Sequence, residues 1–196
     1  MADFDRREAI LLAAATEFAT GGYAGGRVER LARLAGVNKQ LIFHYFRSKD
    51  QLYSTVVHIA LSRCQATLPA AATPPESLKA GIDSLSGMIE ANPLIPSALA
   101  DCTFGKSTPE QARASIAEWL QSLRGAFVAV LNDGQQRGFF RDDLWPEAVS
   151  DVIVGASVGM ALTGRLRKSG SGPAHPRLSD FHTSIGQFLV DSCAWH

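Results

Sequence analysis

Residues 27–46 read RVERLARLAGVNKQLIFHYF, two helical patterns divided by a glycine. Val28, Leu31, Ala32 and Ala35 recur at i, i+3, i+4 and i+7, the spacing that gathers apolar side chains on one face of a helix. Gly36 follows at once and can take the left-handed conformation that closes a helix. Asn38 is a good N-cap for a second helix, and Val37 before it can pack on Ile42 as a hydrophobic staple. On that second helix Leu41, Ile42, Tyr45 and Phe46 share one side, while Lys39, Gln40, Phe43 and His44 look mostly the other way. An outward phenylalanine beside lysine, glutamine and histidine suits a recognition surface better than a solvated face. The pair therefore predicts a helix-turn-helix, whose second helix enters the major groove while the first braces it.

Working outward, a preceding helix is expected from Asp5, with Glu8 reaching back three residues in a capping box. Ile10, Ala14 and Phe18 form its apolar stripe, and Gly21-Gly22 is expected to end it. Beyond the motif, Ser48 with Gln51 opens a fourth helix, in which Leu52, Val56 and Ile59 continue the stripe to about Leu68. The proline-rich run Pro69 to Pro75 reads as a boundary or loop.

The remainder reads as helices over Glu76 to Ala91, a short piece after Pro93, Pro109 to Gln136, Pro146 to Arg167 and Leu178 to Ala194. Ile116, Leu120, Leu123, Phe127 and Val130 give the long helix a continuous seam, and Ser169 to Pro173 reads as a flexible loop. The expected fold is all-α. Residues 5–65 are expected to form a DNA-binding domain built on the helix-turn-helix, and 66–196 a second, helical domain.

The 196 residues are 46% hydrophobic with no formal net charge, which suits a compact chain of one or two domains. The balance is uneven, however: residues 1–68 carry nine Lys or Arg against six Asp or Glu, so the basic excess lies with the helix-turn-helix. Charges at Asp3, Asp5, Arg6 and Arg7 fall where a signal peptide needs an apolar core. The apolar stretch Val152 to Leu162 is well short of the roughly 20 residues that cross a bilayer, so a cytoplasmic protein is expected.

Cys64, Cys102 and Cys193 are widely spaced and odd in number, which fits reduced thiols. His44, His58, His175, His182 and His196 show no metal-ligand spacing, and neither a phosphate-binding glycine loop nor a nucleophile elbow is present. Neither enzyme activity nor a cofactor or metal is expected. The competing reading is a helical small-molecule-binding or scaffold protein whose N-terminal helices serve only for packing. Taken singly, Lys39 and Arg47 are ordinary surface charges, and Tyr45 can pack at the core edge.

The pattern resembles the TetR/AcrR family of bacterial regulators. The resemblance runs through Ile10-Leu-x-Ala-Ala, Gly22-Tyr23, Val28-x-x-Leu-Ala, Ala35-Gly-Val-Asn38, Phe43-His-Tyr-Phe46 and Ser48-Lys-Asp-x-Leu52, and covers the first 55 to 65 residues. It implies that Lys39, Gln40, Phe43 and His44 face base edges, while Tyr45 and Lys49 reach phosphates. The base-facing side chains have suitable chemistry, since lysine donates to guanine, glutamine can pair with adenine, and phenylalanine can touch a thymine methyl. At Gly26-Arg27 the chain departs from the usual Thr-Ser-like pair, and Arg27 can supply a charged phosphate contact instead.

A half-site binder gains affinity by pairing, so a homodimer is expected. Gly155 and Gly159 would admit a close helix, and Phe181, Ile185, Phe188 and Leu189 would supply apolar area. The resemblance implies a four-helix bundle from two helices of each subunit, a small-molecule effector in the C-terminal domain, and repression. Met88, Phe104, Trp119, Phe127 and Met160 are the candidates to line the effector cavity, against their alternative as plain core.

Overall fold

The computed structural model describes residues 3–64, 68–69, 71–167 and 191–193, and among these there is no β-strand. Its helices are α1 (Asp3–Gly25), α2 (Val28–Ala35), α3 (Lys39–Phe46), α4 (Lys49–Arg63), α5 (Pro74–Ala91), α6 (Leu94–Phe104), α7 (Glu110–Gln136) and α8 (Pro146–Arg167). The expected helix from Leu178 to Ala194 and the loop Ser169 to Pro173 lie outside the described residues, apart from the helical 191–193.

Local chemistry explains most boundaries, with four corrections. Because α1 starts at Asp3, the Asp5 and Glu8 pair sits inside the first turns, where acidic side chains still face the positive end of the helix dipole. Gly22 breaks α1 at φ 65, ψ −175 instead of ending it, and helical structure runs on to Gly25. The end of α4 comes at Arg63, short of Leu68, where the Cys64 N–H bonds to the Leu61 carbonyl in a tightened last turn. Thr73 and Glu76 form a reciprocal capping box that opens α5 two residues before Glu76.

The chain packs as two compact units. The first joins the residues through Cys64 with Asn92–Glu118, so α6 and the start of α7 associate with the N-terminal helices. Its core holds Ile10, Ala14 and Phe18 of α1, Leu31 of α2, Ile42 and Phe46 of α3, Leu52, Tyr53 and Val56 of α4, and Leu94, Ile95, Ala98 and Leu99 of α6. Full burial of each large apolar side chain stabilises the fold by about 1.5–3 kcal/mol. Ser97 Oγ donates to the Phe18 carbonyl at 2.8 Å, joining α6 to α1.

The second unit contains α5, residues 119–136 of α7, and α8. Leu78, Ile82, Leu85, Leu123, Phe127, Leu131 and Ile153 are buried in it. The seam on α7 differs in detail from expectation: Ile116, Leu123 and Phe127 are buried, Leu120 and Val130 are only half-buried, and Trp119 and Leu131 complete the stripe. The Arg124 and Asp151 ion pair, at 2.8 Å, and a bond from Ser150 Oγ to the Arg124 carbonyl tie α7 to α8. The three cysteines are thiols rather than disulfide partners, and burial pushes each pKa upward, away from the reactive thiolate.

Candidate nucleic-acid interface

The turn between α2 and α3 is set by two caps. Gly36 takes φ 64, ψ 30, a conformation costly for any residue with a Cβ, and the Val37 N–H bonds to the Ala32 carbonyl across it. Asn38 Oδ1 then accepts the Leu41 N–H at 2.8 Å, so α3 starts within a few residues of the end of α2. Ile42 and Phe46 anchor α3 in the core, whereas Lys39, Gln40 and His44 are exposed and Leu41, Phe43 and Tyr45 are half-buried. The four base-facing candidates thus share the outward side of a helix whose other side is fixed.

Lys39 is already engaged, pairing with Glu29 of α2 while its Nζ stands 5.8 Å from the Phe43 ring centroid. Glu29 and Lys39 are both exposed, and this partner holds the Glu29 carboxyl below its ordinary range. Arg7 of α1 lies over the Phe46 ring at 5.6 Å, placing another cation beside α3.

The turn from α3 to α4 passes through Arg47, whose φ of 56 puts a side-chain-bearing residue in the sparsely populated positive region. Ser48 Oγ accepts the Gln51 N–H at 3.1 Å to start α4. Lys49 follows in the first turn, its Nζ 4.7 Å from the Tyr23 ring centroid. The Tyr23 hydroxyl donates to Asp50 Oδ1 at 2.6 Å; burial and that carboxylate push its pKa up to about 12. An ammonium held on an aromatic face beside exposed helix N–H groups is well placed for a phosphate.

Arg27 is the N-cap of α2, yet its own side chain makes no capping bond and is exposed. The cap comes from Glu17, 2% exposed, whose Oε1 accepts the Arg27 N–H at 3.0 Å while Oε2 takes the Arg30 Nε–H at 2.6 Å. Burial raises the Glu17 pKa, but these two donors outweigh it and hold the carboxyl below its ordinary value. Sequence reasoning missed Glu17, Tyr23, Glu29 and Asp50 as neighbours that hold this surface. The Gly22-Tyr23 and Ser48-Lys-Asp-x-Leu52 motifs contain Tyr23 and Asp50 but gave them no supporting role.

The effector candidates are dispersed. Met88 on α5 and Met160 on α8 are half-buried; Trp119 and Phe127 on α7 are buried, Phe127 with its ring against Gly81 of α5. Phe104 departs from expectation, since at 72% exposure its ring is turned to solvent rather than into a core. Gly155 and Gly159 are exposed on α8, with no described atom within 4 Å of the Cβ each lacks. Phe181, Ile185, Phe188 and Leu189 lie outside the described residues. Among the described residues, no group of His, Cys, Asp and Glu could hold a metal ion, and no helix is long and apolar enough to cross a membrane.

A capped α3 presenting lysine, glutamine, phenylalanine and histidine, braced by α2 and followed by α4 with Lys49 in its first turn, has the layout of a helix-turn-helix DNA-binding regulator. Comparison with known proteins gives the family. The family model of the bacterial regulatory proteins, tetR family, matches residues 10–56. The chain is 32% identical over 146 residues to the HTH-type transcriptional repressor NicS of Pseudomonas putida, spanning 70% of this chain and 67% of that one. Its fold is similar to that of a TetR transcriptional regulator from Chloroflexus aurantiacus, with a TM-score of 0.79 at 20% identity over 97% of each chain. It is also similar to FadR from Bacillus subtilis, solved in complex with stearoyl-CoA, with a TM-score of 0.71 at 20% identity over 94% of this chain and 97% of that one. The chain belongs to the tetR family of bacterial regulatory proteins and is a DNA-binding transcriptional regulator, not an enzyme.

Proposed function

We propose that the protein is a cytoplasmic, ligand-responsive repressor that binds a near-palindromic operator as a homodimer. The observation that carries this reading is the outward side of α3, where Lys39, Gln40 and His44 are exposed beside Phe43 on a helix anchored by Ile42 and Phe46. Those four residues read base edges, and Arg27, Tyr45 and Lys49 contact phosphates. In functional terms residues 5–65 carry DNA binding, while 66–196 carry effector binding and dimerisation.

Pairing is supported by a face of α8 that is exposed among the described residues. Val152 is 56% exposed and lies in register with Gly155 and Gly159, at steps of three and four residues. Two such helices can approach closely about a two-fold axis, which sets the recognition helices one DNA turn apart, about 34–36 Å. Repression follows the function named for NicS, and the complex of FadR with stearoyl-CoA supports a small-molecule input. Met88, Trp119, Phe127 and Met160 remain the candidates to meet the effector, with Phe104 at a surface position. An effector weakens DNA binding only through its differential affinity for the DNA-competent and incompetent states.

The test is selection of binding sites from random duplex DNA, followed by titration of the enriched duplex across salt concentrations. An enriched near-palindrome with steep salt dependence is the expected result. Absence of enrichment from folded protein would overturn the reading.

A further inference from the structure

We propose that Asp101, on α6 and outside the helix-turn-helix, is a positioning residue for the DNA anchor Lys49, acting through Tyr23. The proposal rests on the DNA-binding reading above and deepens it.

A single carboxylate oxygen of Asp101 is shared by two helices. Asp101 Oδ2 accepts the backbone N–H of Tyr23, just past the α1 break, at 2.7 Å, and the hydroxyl of Tyr53 in α4, also at 2.7 Å. Bonds to an ionised acceptor are the strong kind, and both lie in a part-buried setting where water competes poorly. The other carboxylate oxygen approaches Gly22 so closely that a Cβ there would stand 2.7 Å from Oδ1. Gly22 therefore provides both the φ of 65 that turns the Tyr23 N–H out of the helix pattern and the room for its acceptor.

Tyr23 carries this restraint to the DNA-facing end of α4. Its ring packs edge-on against fully buried Tyr53 with centroids 5.0 Å apart, Lys49 Nζ sits 4.7 Å from its centroid, and its hydroxyl bonds to Asp50. Fixing the Tyr23 backbone thus fixes the platform under the Lys49 ammonium.

Asp101 is itself held firmly. Its carbonyl accepts the Gly105 N–H at 2.8 Å and the Thr108 hydroxyl at 2.7 Å. The Arg113 guanidinium donates to the carbonyls of Cys102, Gly105 and Thr108 around it. One turn earlier on α6, Ser97 bonds to the Phe18 carbonyl, so one face of α6 grips α1 at two points. Lys49 is oriented from α6 before any DNA is met, and a change in α6 reaches a phosphate contact without touching α3.

The experiment combines a double-mutant cycle in the full chain with hydrogen exchange of the Tyr23 amide in the free protein. Lys49→Ala and Asp101→Ala should each weaken binding to the selected duplex about tenfold and lower the salt slope by about 1.8, the value for one phosphate contact in each of two half-sites. The double variant should be no weaker than either single one. Asp101→Asn, which keeps a carbonyl acceptor, should restore binding to within about threefold. The Tyr23 amide should exchange faster in Asp101→Ala and near the wild-type rate in Asp101→Asn. Losses that multiply to about a hundredfold, or an unchanged salt slope in Asp101→Ala, would overturn the positioning role. If Asp101→Ala is unfolded, Tyr53→Phe removes one of the two bonds, and additivity with Lys49→Ala would overturn the proposal equally. Failure of the wild-type chain to select any duplex would sink the DNA reading and this inference together; unchanged Tyr23 exchange would sink the inference alone.

Discussion

Glu17 of α1 caps α2 from outside that helix, its Oε1 accepting the backbone N–H of Arg27 at 3.0 Å. A helix start normally caps itself with the side chain of the preceding residue, and arginine there has no acceptor to offer. The cap therefore comes from ten residues upstream in sequence, and a buried carboxylate is retained because two donors compensate its burial.

Glu17→Ala should destabilise the protein by about 2 kcal/mol, the worth of charge-assisted bonds discounted because Arg30 is half-exposed. The folded-state pKa lies below the ordinary 4.5, so this contribution is present above that value and is lost as pH falls through the lowered one. Urea unfolding from pH 7 to pH 3 measures it: wild type should lose stability on acidification more steeply than Glu17→Gln.

Two positive-φ glycines should respond differently to alanine. Gly36 has ordinary left-handed angles and no described atom within 4 Å of an added Cβ, so Gly36→Ala should cost about 1 kcal/mol. Gly22, with ψ near 180°, occupies a region open essentially to glycine alone, and its Cβ would overlap the Asp101 carboxylate. Gly22→Ala should cost about 3 kcal/mol. Equal shifts in denaturation midpoint would contradict this account.

The bond between Glu29 and Lys39 keeps a carboxylate beside the surface proposed to meet DNA. Because both groups are exposed, the pair is worth about 0.2–1 kcal/mol, so Glu29→Gln should tighten binding to all duplexes by no more than about fivefold. Gln40→Ala should instead relax selectivity at particular base pairs while leaving the salt slope unchanged. Competition titrations against single-base variants of the selected duplex separate the two; identical profiles would refute the division of roles.

Gly159→Arg places a long cation on the exposed face of α8, where no described atom obstructs it. The chain should still fold, sediment as a monomer, and lose affinity for the selected duplex by about a hundredfold or more as the two half-sites uncouple. A dimer that persists with full affinity would move the interface elsewhere.

The helix-turn-helix was legible because its determinants are local. Helix periodicity, the Gly36 stop, and the Asn38 and Ser48 caps act over three or four residues, and each falls where the spacing puts it. The start of α8 at Pro146 was readable for the same reason, since proline suits a first helical turn. The candidate site was legible only as a set of outward residues on α3 and the first turn of α4.

What the sequence by itself determined is the succession of helices, their apolar faces, and which side chains α3 turns outward, because backbone geometry over one or two turns decides these. Tertiary structure alone decided that Glu17 caps α2, that Glu29 engages Lys39, and that Asp101 holds Tyr23 from 78 residues away. These are meetings between helices, and no periodicity encodes them. A charged side chain finds its partner only after burial of the apolar faces has set where each helix lies, so packing selects the pairs and the pairs then fix the surface offered to DNA.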